Sequence, residues 1–512
     1  MVLDPWRQVA TLVGITLAVF AGTLSVGLVY DARLQILTDS FLFDSANWLP
    51  VLTYQTLAMD VLDFNRPVNL ASLMLDAAVW GREPFGYHLT SVLVHVLNVL
   101  LVWGIVGRLA PGLPPLGRLA GPLVFAVHPL VTEAVCEPSF REDLLVSSFT
   151  LLGLLLAMEK SPAAARHDVW RAIACVACAL LAIGSKESGI AAPAAIAVYR
   201  LTLRRGERGW FWPVVIGGAT VAVVAFLAAR FLLEPTPSKI FEARPQYPGG
   251  SLAAAMLIEP RILELYVQLV LLPVNQCADY GVYSVSHLPL PVAVGVVLAV
   301  GGAAALAIRA DRRMAVAATL VGVPILSVAN LVPIYRAAAD RYLYLPLGGV
   351  GLAVGLLLDA PWLAGRERLR QRLLAGCGVV VILLGATCME RAKVWSSQLS
   401  LWTDTFRKNP AAFTGASGLA EALRETGRLT EAEQAARRAI QLSEGQRGDA
   451  WATLALILDA QGRMVEAFEA LDKAVTLEPK LGDPDGRVAV MAMERPYAED
   501  LKRLLARRKV LP

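Results

Sequence analysis

Asp31 stands directly after the first long apolar run of this 512-residue chain, and arginines and a lysine stand at the corresponding ends of later runs. Five clusters carry these groups: Tyr30-Asp31; Arg66-Pro67; His128-Pro129 through Glu133 to Arg141-Glu142-Asp143; Lys186-Glu187; and Arg336 with Asp340-Arg341-Tyr342-Leu343-Tyr344-Leu345-Pro346. Ionisable side chains at the ends of lipid-embedded helices are costly, so each is a functional hypothesis. A guanidinium grips phosphate through parallel N–H donors and a lysine adds a point charge. Arg141, Lys186, Arg336 and Arg341 therefore describe a site for an anion carried on a lipid, and Asp31 is placed to take a proton from a hydroxyl. Arg66, His128, Glu133, Glu142, Asp143, Glu187, Tyr342 and Tyr344 are supporting residues, with Glu142, Asp143 and Glu187 orienting the cations rather than doing chemistry. No metal cage is legible, because no His pair stands at metal spacing and the acids are scattered.

Each cluster also has a purely structural reading. Lys186-Glu187 can be a hairpin salt bridge, Arg341-Tyr342 a snorkelling and aromatic-belt pair, and His128 or His95 a histidine satisfied within the helices. The Cys175-x-x-Cys178 pair lies in AIACVACALLAIG, where small thiols are ordinary helix packing. Six cysteines, five of them in apolar stretches, provide neither a disulfide framework nor a zinc knuckle.

The elements that must position these residues are membrane helices. Apolar residues make up 56% of the chain and charged ones 18%, which excludes a water-soluble protein. A net charge of +4 without a basic block excludes a nucleic-acid partner. A ~30 Å hydrocarbon layer needs roughly 17–25 apolar residues per helix. Eleven such runs are legible, some short enough to need burial against neighbours: 9–29, 88–107, 119–137, 143–159, 169–184, 188–203, 211–232, 288–308, 314–335, 341–358 and 372–390. The first is followed by Tyr30-Asp31 rather than a small-residue cleavage site, and reads as a retained helix. Arg7, Arg108, Arg118, Lys160, Arg166, Arg171, Arg200, Arg204, Arg205, Arg208, Arg309, Arg312, Arg313, Arg366, Arg368, Arg370 and Arg372 fall at alternate ends of the runs. Cytoplasmic loops retain such residues, so the N-terminus is expected inside and the C-terminal part outside. The long loops 30–87 and 233–287 then face outward, and most of the acids of the membrane half sit in them or at the outer helix ends. Residues 261–274 are read as a re-entrant or interfacial helix, because a crossing there would put Arg309–Arg313 outside.

Composition changes near Trp395. From there to the end, 118 residues hold 17 basic and 17 acidic side chains. The expected organisation is a multispanning membrane domain, 1–394, and a soluble domain, 395–512. Within the second, 421–442 and 456–477 superpose at an offset of 35, with Gly427 on Gly462 and Arg428 on Arg463. That is one residue more than the tetratricopeptide period, whose units pair two helices around a Gly turn. Flanking helices at 396–408 and 496–509 are expected as caps, and the Arg503–Lys509 charge run as a solvated helix face.

Several stretches resemble the transmembrane-and-tetratricopeptide protein O-mannosyltransferase family. They are Arg66-Pro67, Trp80-Gly81-Arg82-Glu83-Pro84-Phe85-Gly86-Tyr87-His88, His95, Phe125-Ala126-Val127-His128-Pro129, Glu133-Ala134-Val135, Arg141-Glu142-Asp143-Leu144-Leu145, Ser185-Lys186-Glu187, Arg341–Pro346 and the terminal repeats. The resemblance implies a mostly α, polytopic glycosyltransferase of the GT-C type. Such an enzyme uses a polyprenyl-phosphate sugar outside the cytoplasm, commonly with inversion at the anomeric carbon, and Asp31 matches its essential acid. Family members often carry a second acid beside it, whereas Ala32 follows here, leaving Asp39 or Asp44 as candidates for that role. The implied partners are membrane lipid, the lipid-linked sugar and a protein acceptor or partner on the repeats. Ala/Arg/Gly-rich usage points to a bacterial inner membrane. A membrane scaffold and a lipid transporter are the rival classes. A transporter calls for ionisable groups near mid-membrane, whereas these lie at helix ends.

Overall fold

A computed structural model describes residues 4–59, 61–159, 165–233, 247–281, 289–483 and 495–510. Lys160, the Arg166 side chain and parts of the 233–287 loop lie outside the described residues. Among the described residues there is no strand. The longer helices described in the membrane part are α1 (Pro5–Phe20), α2 (Pro67–Trp80), α3 (Pro84–Leu109), α4 (Pro115–Val127), α5 (Arg141–Met158), α6 (Ala165–Ser185), α7 (Ala191–Leu203), α8 (Phe211–Leu233), α9 (Leu252–Leu271), α10 (Leu290–Ala310), α11 (Met314–Ser327), α12 (Tyr344–Leu358) and α13 (Glu367–Val394). All eleven expected runs are helical over most of their length. Among the described residues seven helices are long and apolar enough to cross a membrane, eight if α4 and its continuation 129–136, bent by 49°, form one span. The remaining runs, in α5, α7 and α11, are short or begin with charges. In α10 and α13 only 6% and 11% of the apolar window is buried, so these helices present apolar side chains all round to lipid.

Three expected boundaries are corrected. The first helix stops at Phe20 and gives way to a tighter turn, Ala21–Ser25, before Tyr30 takes a left-handed backbone with φ +53°. The run 314–335 is helical only to Ser327. Asn330 is left-handed at φ +48°, and Pro333 has no N–H to continue the ladder. The segment read as 261–274 belongs to a 20-residue helix, α9. Its Glu259 accepts from Asn330 at 3.1 Å, and its Tyr266 hydroxyl accepts from the Ala339 N–H at 3.4 Å.

Small residues let these helices close up. A Cβ on Gly121 of α4 would collide with the Gly351 carbonyl of α12, so both positions exclude side chains. One end of the bundle is tied by Arg313, which donates to the Leu109 carbonyl at 2.9 Å and pairs with Asp311 and Asp359. The opposite end gathers Asp31, Glu133, Lys186 and Arg341.

The C-terminal part continues with α14 (Gln398–Lys408), α15 (Phe413–Glu425), α16 (Leu429–Leu442), α17 (Gly448–Ala460), α18 (Met464–Leu477) and α19 (Arg495–Val510). The 35-residue offset is visible in the backbone. Gly427 and Gly462 have φ +74° and +78°, and the following N–H groups, of Arg428 and Arg463, each close a 2.9 Å hydrogen bond to Leu423 and Leu458. These are the left-handed helix stops that glycine supplies without steric cost. Alanines 432, 436, 455 and 467 fill the crossings, and Leu501 and Leu504 of α19 cover the end of this core. The helices 398–408 and 495–510 stand where flanking helices are expected.

Candidate active site

Tyr30 and Asp31 sit on a short turn, Tyr30–Ala32, that is held from three directions. The Arg336 guanidinium donates to the Tyr30 hydroxyl at 2.8 Å. Trp402 lies against the Tyr30 ring at 5.3 Å, tilted by 30°, while Phe140 and Trp395 meet it edge-on at 5.6 and 6.2 Å. The Tyr30 N–H points to Gln398 Oε1 at 3.4 Å, and the Ala32 N–H donates to Glu137 Oε1 at 2.8 Å. A left-handed tyrosine persists only where its surroundings hold it, and such strain collects at functional sites.

Asp31 itself is exposed to a cavity of about 260 Å³. Tyr30, Asp31, Arg33 and Arg336 form one wall, and Gln398, Trp402, Thr414, Gly418, Glu421 and Glu425 form the other. The second wall belongs to α14 and α15. The protein closing round the cavity removes water from the carboxyl group and pushes its pKa up to about 6, with Arg336 and Arg341 pulling downward and Asp63 and Glu142 pushing further up. A base poised near neutrality accepts protons efficiently at physiological pH.

The predicted cations are unequal. Arg336 lines the cavity, pairs with Asp279 at 2.7 Å and reaches the Thr414 hydroxyl at 3.4 Å. Arg341 is buried with its guanidinium 3.9 Å from the Phe140 ring centroid; it pairs with Glu133, which also accepts the Arg341 N–H at 2.9 Å. Lys186 reaches Asp143 at 2.5 Å and Glu142 at 3.7 Å, and lies over Tyr342 at 5.1 Å. Arg66 joins this group through Glu142 at 3.1 Å and Asp63 at 3.2 Å. Arg66, Glu133, Glu142, Asp143 and Tyr342 thus converge with Lys186 and Arg341 beside Asp31.

Other predicted residues are placed elsewhere. Arg141 is completely buried between α2 and α3, spending its donors on Asp76 at 2.6 Å, Ser72 at 3.0 Å, Ser91 at 3.2 Å and the Tyr87 carbonyl at 2.8 Å. It is a clamp inside the bundle, and nothing remains to meet a phosphate. His128 caps the turn after α4, accepting from the Leu130 N–H at 3.3 Å, with its other nitrogen 3.1 Å from the Val270 carbonyl. Tyr344 is buried among His95 at 2.6 Å and Asn98 at 3.1 Å. Glu187 does not pair with Lys186; it takes Arg230 and the Asn65 amide. Asp39 and Asp44 each cap a local turn, accepting from Phe41 N–H and Ala46 N–H at 2.9 Å. The carboxyl groups that face the Asp31 turn are instead Glu137, Asp63 and Glu142. Among the described residues no group of three His, Cys, Asp or Glu could hold a metal.

Sequence reasoning missed Asp63, Glu137, Asp279, Gln398 and Trp402. Only the left-handed signal of Asp63, an acid before Phe64-Asn65-Arg66-Pro67 with φ +53°, had a local trace, since Asp tolerates that conformation.

Comparison with known proteins follows the same lines. The tetratricopeptide-repeat profile matches residues 448–481. A protein O-mannosyl-transferase of Caenorhabditis elegans is 24% identical over 396 residues, covering 74% of this chain and 53% of the relative. The protein O-mannosyl-transferase TMTC2 of Mus musculus is 32% identical over 197 residues, covering 36% of this chain and 22% of the relative. The chain therefore spans about half the length of the nematode relative and less of the mouse one. The crystal structure of ArnT from Cupriavidus metallidurans bound to undecaprenyl phosphate aligns with 99% of this chain and 78% of its own, at 14% identity and a TM-score of 0.41. With its apolar helix bundle and terminal repeats, the chain is a polytopic α-helical membrane protein similar to the transmembrane-and-tetratricopeptide protein O-mannosyl-transferases.

Proposed function

We propose that this chain is a membrane glycosyltransferase that moves a mannose-like hexose from a polyprenyl-phosphate donor to an acceptor hydroxyl, a protein Ser or Thr, on the non-cytoplasmic face. The observation that carries the reading is Asp31, held on a strained turn with a pKa near 6 and opening onto a cavity beside Arg336. The acceptor oxygen attacks the anomeric carbon as the bond from that carbon to the phosphate oxygen breaks. Asp31 receives the acceptor proton, and the lipid phosphate departs as an anion. A phosphate leaving group needs little protonation, so the chain's main task is to stabilise developing charge. Arg336, the predicted cation that lines the cavity, is best placed for it, with Arg341 and Lys186 behind.

The acceptor approaches through the cavity, whose far wall is the flanking helix α14 and α15, the helix that opens the first repeat. The repeats suit a peptide or partner protein, and α15, which opens them, stands across the cavity from Asp31. The Arg and Lys distribution supports an N-terminus in the cytoplasm and repeats outside, the periplasm of a bacterial inner membrane.

The test is transfer from a polyprenyl-phosphate hexose by purified protein. Asp31→Asn is expected to keep expression and donor binding while lowering transfer roughly 10²–10⁴-fold. Turnover near wild type in that variant would leave a membrane scaffold as the better reading.

A further inference from the structure

We propose that Glu137 is a positioning residue for the catalytic turn: its buried carboxyl group clamps the Ala32 N–H and so holds Asp31 against the cavity. The proposal rests on the reading of Asp31 as the base. Glu137 comes from the segment that follows α4, 105 positions further along the chain, and its side chain is completely enclosed. Oxygen Oε1 accepts from the Ala32 N–H at 2.8 Å and from the Ser139 hydroxyl at 2.6 Å, and the Ser139 backbone N–H also faces the carboxyl group. The other, Oε2, is buried without a hydrogen-bond partner.

Burying such a group without full hydrogen bonding opposes folding, so its placement calls for a task. The task is set by what it touches. Ala32 is fully buried, and its N–H lies in the first turn of a helical segment that begins with left-handed Tyr30 and runs on through Thr38. Arg336 and the aromatic rings fix the Tyr30 side of that turn. The Glu137–Ala32 hydrogen bond fixes the other side, so Asp31 is gripped between two anchors that come from distant segments. A base displaced by about 1 Å can lose two orders of magnitude in rate. Because Oε1 takes both the Ala32 and the Ser139 hydroxyl hydrogen bonds, an amide oxygen in the same place would accept the same two.

The experiment compares Glu137→Ala, Glu137→Gln and Glu137→Asp in full-length protein. It reads hydrogen exchange in the peptide covering 30–38, donor affinity with a polyprenyl-phosphate hexose, and kcat. Glu137→Ala is expected to speed exchange at the turn at least about tenfold and to lower kcat roughly 10- to 100-fold, with donor affinity within about twofold. Glu137→Gln should restore both. Glu137→Asp, a methylene too short to reach Ala32, should show the loss in milder form and serves if the alanine variant does not fold. Wild-type exchange and kcat in Glu137→Ala or Glu137→Asp, or a glutamine variant as impaired as the alanine one, would overturn the proposal. Protection from exchange that is lost in alanine and regained in glutamine, in a protein whose wild type transfers no hexose, would keep the clamp and remove the transferase reading.

Discussion

Asp31 can act as a base only when ionised, and its pKa near 6 sets where that happens. Below pH 6 the transfer rate should fall by about tenfold per pH unit, tracking the ionised fraction. Arg336 pulls this pKa down, so Arg336→Gln should move the acid limb of the kcat profile to higher pH while weakening donor binding. A limb that stays at its wild-type position would detach Arg336 from Asp31. Arg341 is stacked on Phe140 and bonded to Glu133, which a lysine cannot reproduce; Arg341→Lys should therefore behave more like a loss than a conservative change. Measuring donor affinity in that variant checks it. At this scale the sequence was readable in residue type but not in address. Asp31 is marked by its place after an apolar run, yet Arg141 and Arg336 look alike until Asp76, Ser72 and Ser91 are seen to surround one and the cavity the other. Glu137 and Asp63 could not be assigned, because their approach to the turn depends on how helices far apart in the chain pack.

Helices are where the sequence is most legible, since apolar length and the 35-residue repeat are local signals. Helix ends are less so: α1 gives way to a tighter turn at Ala21, and α11 stops at Ser327, three residues before left-handed Asn330, neither of which apolar length reveals. Two glycine features can be tested. Gly121→Leu would place a side chain on the Gly351 carbonyl, so α4 and α12 must separate; folded yield and thermal stability in detergent should drop sharply. Gly427→Ala puts a Cβ on a left-handed residue and should cost about 1 kcal/mol, lowering the unfolding midpoint of the repeats without altering donor affinity.

Seen whole, the molecule does not divide cleanly between membrane and repeats. Leu401, Trp402 and Ala422 belong to the same hydrophobic core as the membrane helices. Arg33 and Glu425 form a two-pronged pair at 2.9 and 2.7 Å, and Asn409 donates to the carbonyls of Asp279 and Tyr280 at 3.1 and 2.7 Å. A composition break near Trp395 suggests that removing everything beyond it would spare donor chemistry, but the contacts argue otherwise. Truncation after Trp395 takes Gln398 and Trp402 away from Tyr30 and should abolish even slow donor hydrolysis. Truncation after Gln446 keeps α14, α15 and α16 and should retain hydrolysis while losing the natural acceptor. Equal hydrolysis by the two truncated forms would show that the first repeat does not support the turn. The partners of Tyr30 also impose an order on biosynthesis. Gln398 is made 368 positions after Tyr30, which at ordinary rates of 5–20 residues per second is about 20–75 s. A nascent chain already threaded into the lipid therefore has its base but not the support that aims it, and a chain released early cannot waste lipid-linked sugar on water.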